Sequence, residues 1–94
     1  MFGLISQLLV LPEARDELVR ILAGATKVMP GCLSYIIAED SSRDDAVWVT
    51  KVWTDADSHA ASLKLPAIQE ALAQGRPLIT GMGTRTTTHP VAGV

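Results

Sequence analysis

Five side chains in this 94-residue sequence have the chemistry and spacing to act on one small molecule: His59, Trp53, Lys51, Tyr35 and Ser6. His59 stands with Ala56, Ala60 and Leu63 at helical spacing, which turns its imidazole inward toward whatever the helix covers. Imidazole titrates near neutral pH, so an inward His59 can take a proton from a weakly acidic hydroxyl. Lys51 and Trp53 share one face of a strand-like run. There an ammonium can hold an oxyanion and an indole can stack on a flat ring. Ser6 is the polar member of a face that otherwise holds Phe2, Leu4, Leu8 and Val10, so a buried hydroxyl there needs a partner. Tyr35 lies on another strand and faces either the interior or a partner surface. Each residue also has a plain structural reading. His59 can bond a backbone carbonyl, Trp53 can close the core, Lys51 can be solvated at a rim, and Ser6 can bond nearby backbone. Arg85 and His89 are read as structural charges on an edge strand, where they discourage strand addition. Cys32 is read as a small buried hydrophobe.

The elements that must position these groups follow from periodicity. Phe2 to Val10 is apolar on both faces, as in a strand covered on both sides. Pro12 suits a first helical position, with Glu13 and Asp16 in the first turn. Ala14, Leu18, Ile21, Leu22, Ala25 and Val28 form the apolar stripe, Lys27 lies off it, and Pro30-Gly31 stops the helix. Cys32 to Glu39, with Leu33, Tyr35 and Ile37 on one side, and Ala46 to Trp53 read as a hairpin around the polar run 40–45. Thr54 is the expected N-cap of a second helix that Pro66 interrupts and restarts. Leu78 and Ile79 are placed in its last turn, and Thr84 to His89 forms a fourth, edge-like strand. The order is β-α-β-β-α-β, an α+β ferredoxin-like antiparallel sheet with helices on one face. Residues 1–90 make one domain and 91–94 a tail. The other face, with Ile5, Trp48 and Val52, stays bare, and a homodimer through the sheet faces is the simplest way to cover it.

Composition narrows the function classes. The net charge is −2 and no Lys/Arg cluster is present, which argues against nucleic acid. No run approaches the ~18 apolar residues of a membrane span. The apolar start lacks a basic segment and a cleavage pattern and is read as strand, not signal peptide. One cysteine makes neither an internal disulfide nor a Cys-based metal site, so the setting expected is the reducing cytoplasm. No phosphate loop, dinucleotide fingerprint or metal-ligand spacing occurs, so neither cofactor nor metal is expected.

Three stretches together resemble the antibiotic biosynthesis monooxygenase family. They are Val10-Leu11-Pro12-Glu13-Ala14-Arg15-Asp16-Glu17-Leu18; Met29-Pro30-Gly31-Cys32-Leu33-Ser34-Tyr35; and Val49-Thr50-Lys51-Val52-Trp53-Thr54-Asp55, followed by His59 and Pro66. The resemblance spans residues 2 to about 88. It implies a dimeric α+β barrel with a cavity between sheet and helices in each protomer, and Trp53 on that cavity's wall. It further implies a cofactor-independent monooxygenase acting with O2 on a phenolic, quinol or aromatic polyketide-like molecule. His59 and Trp53 would then be catalytic and Ser6, Tyr35 and Lys51 substrate-binding. Isomerases and proteins without known chemistry share the fold, so an isomerase or a non-catalytic ligand-binding dimer is the alternative. The sequence departs from the family pattern at Lys51, where many members carry Glu, and at Ser62, where many carry a second His. Haem-degrading members need a His ligand in the second helical region, and residues 60–80 contain none.

Overall fold

The computed structural model describes residues 1–26 and 29–94. Phe2–Val10 forms β1, Arg15–Ala25 α1, Cys32–Glu39 β2, Ala46–Trp53 β3, Ala56–Ser62 α2, Pro66–Gly75 α3 and Ile79–Thr88 β4. The fold is α+β with the expected ferredoxin-like order, its second helix divided at Pro66. Short 3-10 turns at Pro12–Ala14 and Arg76–Leu78 lead into α1 and β4.

One antiparallel sheet runs in the order β2-β3-β1-β4, so β1 is central and β4 an edge. β1 sets Phe2 opposite Trp53, Leu4 opposite Lys51 and Ser6 opposite Val49. Directly opposed residues of an antiparallel pair share a face. β2 extends that face with Tyr35 opposite Lys51 and Ile37 opposite Val49, and β4 adds Arg85 opposite Ser6. The helices pack on this side. Its core is Val10, Ala14, Leu18, Val47 and Val49, with Leu22, Ile37 and Ile79 against it. Arg15 ties the start of α1 to the hairpin, pairing with Glu39 at 2.9 Å and donating to the Arg43 carbonyl at 2.6 Å.

The opposite face carries Ile5, Thr50, Val52 and Ile36, the last 57% exposed. At its hairpin end Trp48 donates its indole N–H to Asp40 at 2.7 Å. Asp40 also accepts from the backbone N–H groups of Ser42 and Arg43 and so holds the turn. These bonds, the one from Ser42 foremost, keep its carboxyl well below the usual carboxylate range.

Several boundaries differ from expectation for local reasons. α1 ends at Ala25, where the Thr26 hydroxyl donates back to the Ala23 carbonyl at 3.1 Å, and Lys27 and Val28 lie outside the described residues. The N-cap of α2 is Asp55, not Thr54. Its backbone is extended and its carboxylate accepts from the Ser58 N–H at 2.7 Å. Leu33 does not join Tyr35 and Ile37, because a bulge between Cys32 and Ser34 leaves it 44% exposed. Ile79 begins β4 rather than ending a helix, and the strand takes in Gly81 and Gly83. A Cβ at Gly83 would meet the Gln7 side chain, so glycine is what lets β4 lie close to β1 there.

Gly31 has φ of +81°, a left-handed conformation, and a Cβ on it would lie 2.5 Å from Ser58 Oγ. Its carbonyl accepts from the Thr54 N–H at 2.9 Å. Gly31→Ala is expected to lower stability by ~1–3 kcal/mol, read from urea denaturation; an unchanged midpoint would refute this strain.

Candidate active site

Between the helix-side sheet face and the three helices lies a cavity of about 310 Å³. Its polar lining is Ser6 from β1, Tyr35 from β2, Lys51 from β3, His59 from α2 and Arg85 from β4. Leucines 4, 8, 18, 22, 63 and 72 supply most of the rest. This volume is at the small end of ligand sites and suits one or two rings. A second space of about 50 Å³ shares Tyr35 and Lys51 and is walled by Trp53 and Ser62. Four of the five candidates thus border one cavity, and Trp53 borders its neighbour.

His59 is 8% exposed. Its ring packs between Phe2 and the edge of Trp53, both centroids at 5.4 Å. Among the described residues its ring nitrogens make no hydrogen bond, so the backbone-bonded reading of His59 has no support. Burial first, then the charges of Lys51 and Arg85, pull its pKa below the ordinary value. The ring is therefore neutral at pH 7 and free to accept a proton. The inward face of α2 is rotated from the expected one. Ser62 is buried beside His59, while Ala56 and Ala60 are exposed. Ser62 tolerates burial because its hydroxyl donates to the His59 carbonyl at 2.6 Å.

Trp53 is 1% exposed, and its indole N–H finds no acceptor among the described residues. An orphaned buried donor is uncommon and leaves a hydrogen bond to be made. Tyr35 faces the helices, not the bare sheet face. Burial pushes its phenol up to about 12, so it stays protonated and can donate. Lys51 Nζ sits 5.4 Å from the Tyr35 ring centroid, within cation–π range. Burial, then Arg85, lowers the Lys51 pKa. Ser6 is buried, and its hydroxyl makes no hydrogen bond to a described residue. Cys32 stays apart from the cavity lining; burial pushes its thiol up, and the thiol donates to the Ser34 carbonyl at 3.5 Å.

Arg85 is the cavity residue that sequence reasoning set aside as a structural edge charge. The signal that recovers it is register: opposite Ser6, it must share the face of Lys51. His89 lies beyond β4 and is exposed, away from the cavity lining. No three His, Cys, Asp or Glu side chains among the described residues are grouped as for a metal ion. No described helix is long and apolar enough to cross a membrane.

Residues 1–74 match the family described as antibiotic biosynthesis monooxygenase. A crystal structure from Chloroflexus aurantiacus, titled as a candidate member of that family, is 46% identical and superposes with a TM-score of 0.95. The match covers 99% of this chain and 95% of the other. Similarly titled structures share the fold at lower identity. That from Caulobacter crescentus is 18% identical with a TM-score of 0.87, covering 97% of this chain and 90% of that one. That from Deinococcus radiodurans is 22% identical with a TM-score of 0.79, covering 100% and 96%. No curated protein matches the sequence.

The low pKa of His59 has a stability consequence. A histidine whose folded pKa lies below its unfolded value adds stability above the unfolded pKa, ordinarily about 6.5. That stability is lost as pH falls, because the unfolded chain takes the proton first. Stability of the free protein should therefore fall from pH 7 to 5, and less steeply in His59→Gln. Urea midpoints at pH 7, 6 and 5 test this; equal slopes for the two proteins would sink it.

Proposed function

The chain belongs to the antibiotic biosynthesis monooxygenase family, and from that membership we propose that it oxidises a phenol, hydroquinone or aromatic polyketide-like molecule with O2 and without a cofactor. The observation that carries the reading is the neutral His59 imidazole, held by Phe2 and Trp53 at a leucine-lined cavity and free of protein partners among the described residues. Bound in reach of His59, a phenol gives up its proton to the ring. The positive potential of Lys51 and Arg85 favours the phenolate that results. The phenolate transfers one electron to O2, and the radical pair recombines with formation of a C–O bond at a ring carbon. Loss of water, carrying one oxygen of O2 and two hydrogens of the substrate, leaves the quinone with the other oxygen. The same potential stabilises the reduced oxygen before recombination.

The remaining groups orient the ring. The Tyr35 phenol is a donor for a substrate oxygen, the Ser6 hydroxyl can serve a second one, and the Trp53 indole N–H is open to a group that reaches the neighbouring space. The leucines exclude water that would intercept a radical or peroxide, so the protein contributes position and dryness rather than redox chemistry of its own. We also place the protein in the cytoplasm as a homodimer joined through its sheet faces. What supports the dimer is the sheet face opposite the helices, with Ile36 exposed and Ile5 and Val52 beside it.

His59→Ala is expected to lower turnover of a hydroquinone by ~10²–10⁴, with the fold retained. O2 uptake and melting temperature, measured side by side with wild type, decide the point. Full turnover with a lowered melting temperature would make His59 a core residue only. For the dimer, sedimentation at micromolar concentration should give about twice the monomer mass, and a single monomeric species would remove that part of the proposal.

A further inference from the structure

Two cations face the cavity and none of its walls answers them. Lys51 stands opposite Leu4 and Arg85 opposite Ser6, on neighbouring rows of the same sheet face. Both line the cavity. Its lining contains no Asp or Glu: the sheet contributes Ser6, Tyr35 and apolar groups, and the helices contribute Leu, Ala, Gly and His59. Elsewhere in the fold arginines do find carboxylates. Arg15 pairs with Glu39 at 2.9 Å and Arg43 with Asp45 at 2.8 Å. Lys51 and Arg85 make no ion pair among the described residues. The nearest aromatic compensation for Lys51 is the Tyr35 ring at 5.4 Å. A partly buried ammonium without a counter-charge is costly, and a second cation beside it adds to that cost. An anion in the cavity would offset that cost at Lys51.

The anion must be one the ligand brings already ionised. The phenol proposed above enters protonated, since its proton is what His59 takes. A carboxylate is planar, offers two acceptor oxygens and suits a guanidinium fork with an ammonium alongside. We propose that the cavity selects a one- or two-ring aromatic acid, its carboxylate seated between Lys51 and Arg85 and its hydroxyl at His59. The proposal rests on the reading of this cavity as the ligand site, but not on the oxygen chemistry assigned to it. The depression of the Lys51 pKa by burial and by Arg85 agrees with a resting charge that lacks a partner.

The test is anaerobic calorimetry with matched probes. These are 6-hydroxy-2-naphthoate against its neutral carbinol, 6-hydroxy-2-naphthalenemethanol, and 4-hydroxybenzoate against 4-hydroxybenzyl alcohol. Wild type should bind at least one acid about tenfold or more tighter than its neutral twin. Lys51→Met and Arg85→Gln should each erase most of that preference. Arg85 is exposed on an edge strand, so its variant stays informative if Lys51→Met fails to fold. Arg15→Gln, which removes a cation outside the cavity, should keep the preference. Equal binding of acid and neutral twin, or a preference surviving both substitutions, overturns the proposal. If the neutral probes bind and the acids do not, the cavity reading stands and the anion inference falls. If neither binds, both fall.

Discussion

Pairing between β1 and β3 is the constraint on which the site depends. Leu4 against Lys51 and Ser6 against Val49 place the polar residues of two distant segments on one face. Because strand side chains alternate, a slip of one residue would carry Lys51 and Trp53 to the far side and bring Trp48 and Val52 under the helices. The apolar content of both faces of β1 does not forbid that slip by itself. The hairpin end does. Trp48 is tied to Asp40, and Gln7 Nε2 reaches the same carboxylate at 3.3 Å, so the far face has its own polar clasp. The register that satisfies Asp40 is also the one that buries Val47, Val49 and Trp53.

Within the cavity, burial and charge act in one direction on His59. Removing the ring from water disfavours the imidazolium, and Lys51 and Arg85 disfavour it further. On Tyr35, burial favours the neutral phenol. The result is a wall whose fixed charges are positive and whose proton-exchanging groups are uncharged. Such a wall favours an anionic group of a ligand, with no Asp or Glu of the lining to compete for the same cations. On the opposite face the polarity is reversed: Asp40 is an anion held by donors, with an indole among them.

Much of this was legible in the sequence, because period-two alternation and helix punctuation are local signals. Parity alone placed Lys51 with Trp53 and Ser6 with Leu4. His59 was legible as inward, although the helix is rotated so that Ser62 and not Ala60 lies beside it. Burial of Ser62 is tolerated because its hydroxyl donates to the His59 carbonyl, which no apolar pattern records. Arg85 was missed for a different reason. Its face depends on the register of β4 against β1, a pairing between segments far apart in the chain. Glycines 81 and 83 carry no alternation to reveal that strand, and counting back from Thr88 without the bulges gives the wrong parity for Met82. The cap at Asp55 in place of Thr54 is a smaller case: both residues are good caps, and the extended backbone at Asp55 decides between them.

The position of β1 in the sheet also bears on how the chain reaches this state during synthesis. β1 comes before its two neighbours in the chain and is the strand between them, with Phe2 opposite Trp53 and Gly3 opposite Thr88. Until those residues have left the ribosome, Phe2 to Val10 is a nascent segment with unmatched backbone edges and apolar side chains above and below. Segments of that kind are the ones that chaperones shield and that self-associate when left free. Closure over such sequence distances is slow compared with helix formation, so α1 can form while β1 still waits. The strand that organises the finished cavity is thus the one most in need of protection while the rest of the domain is being made.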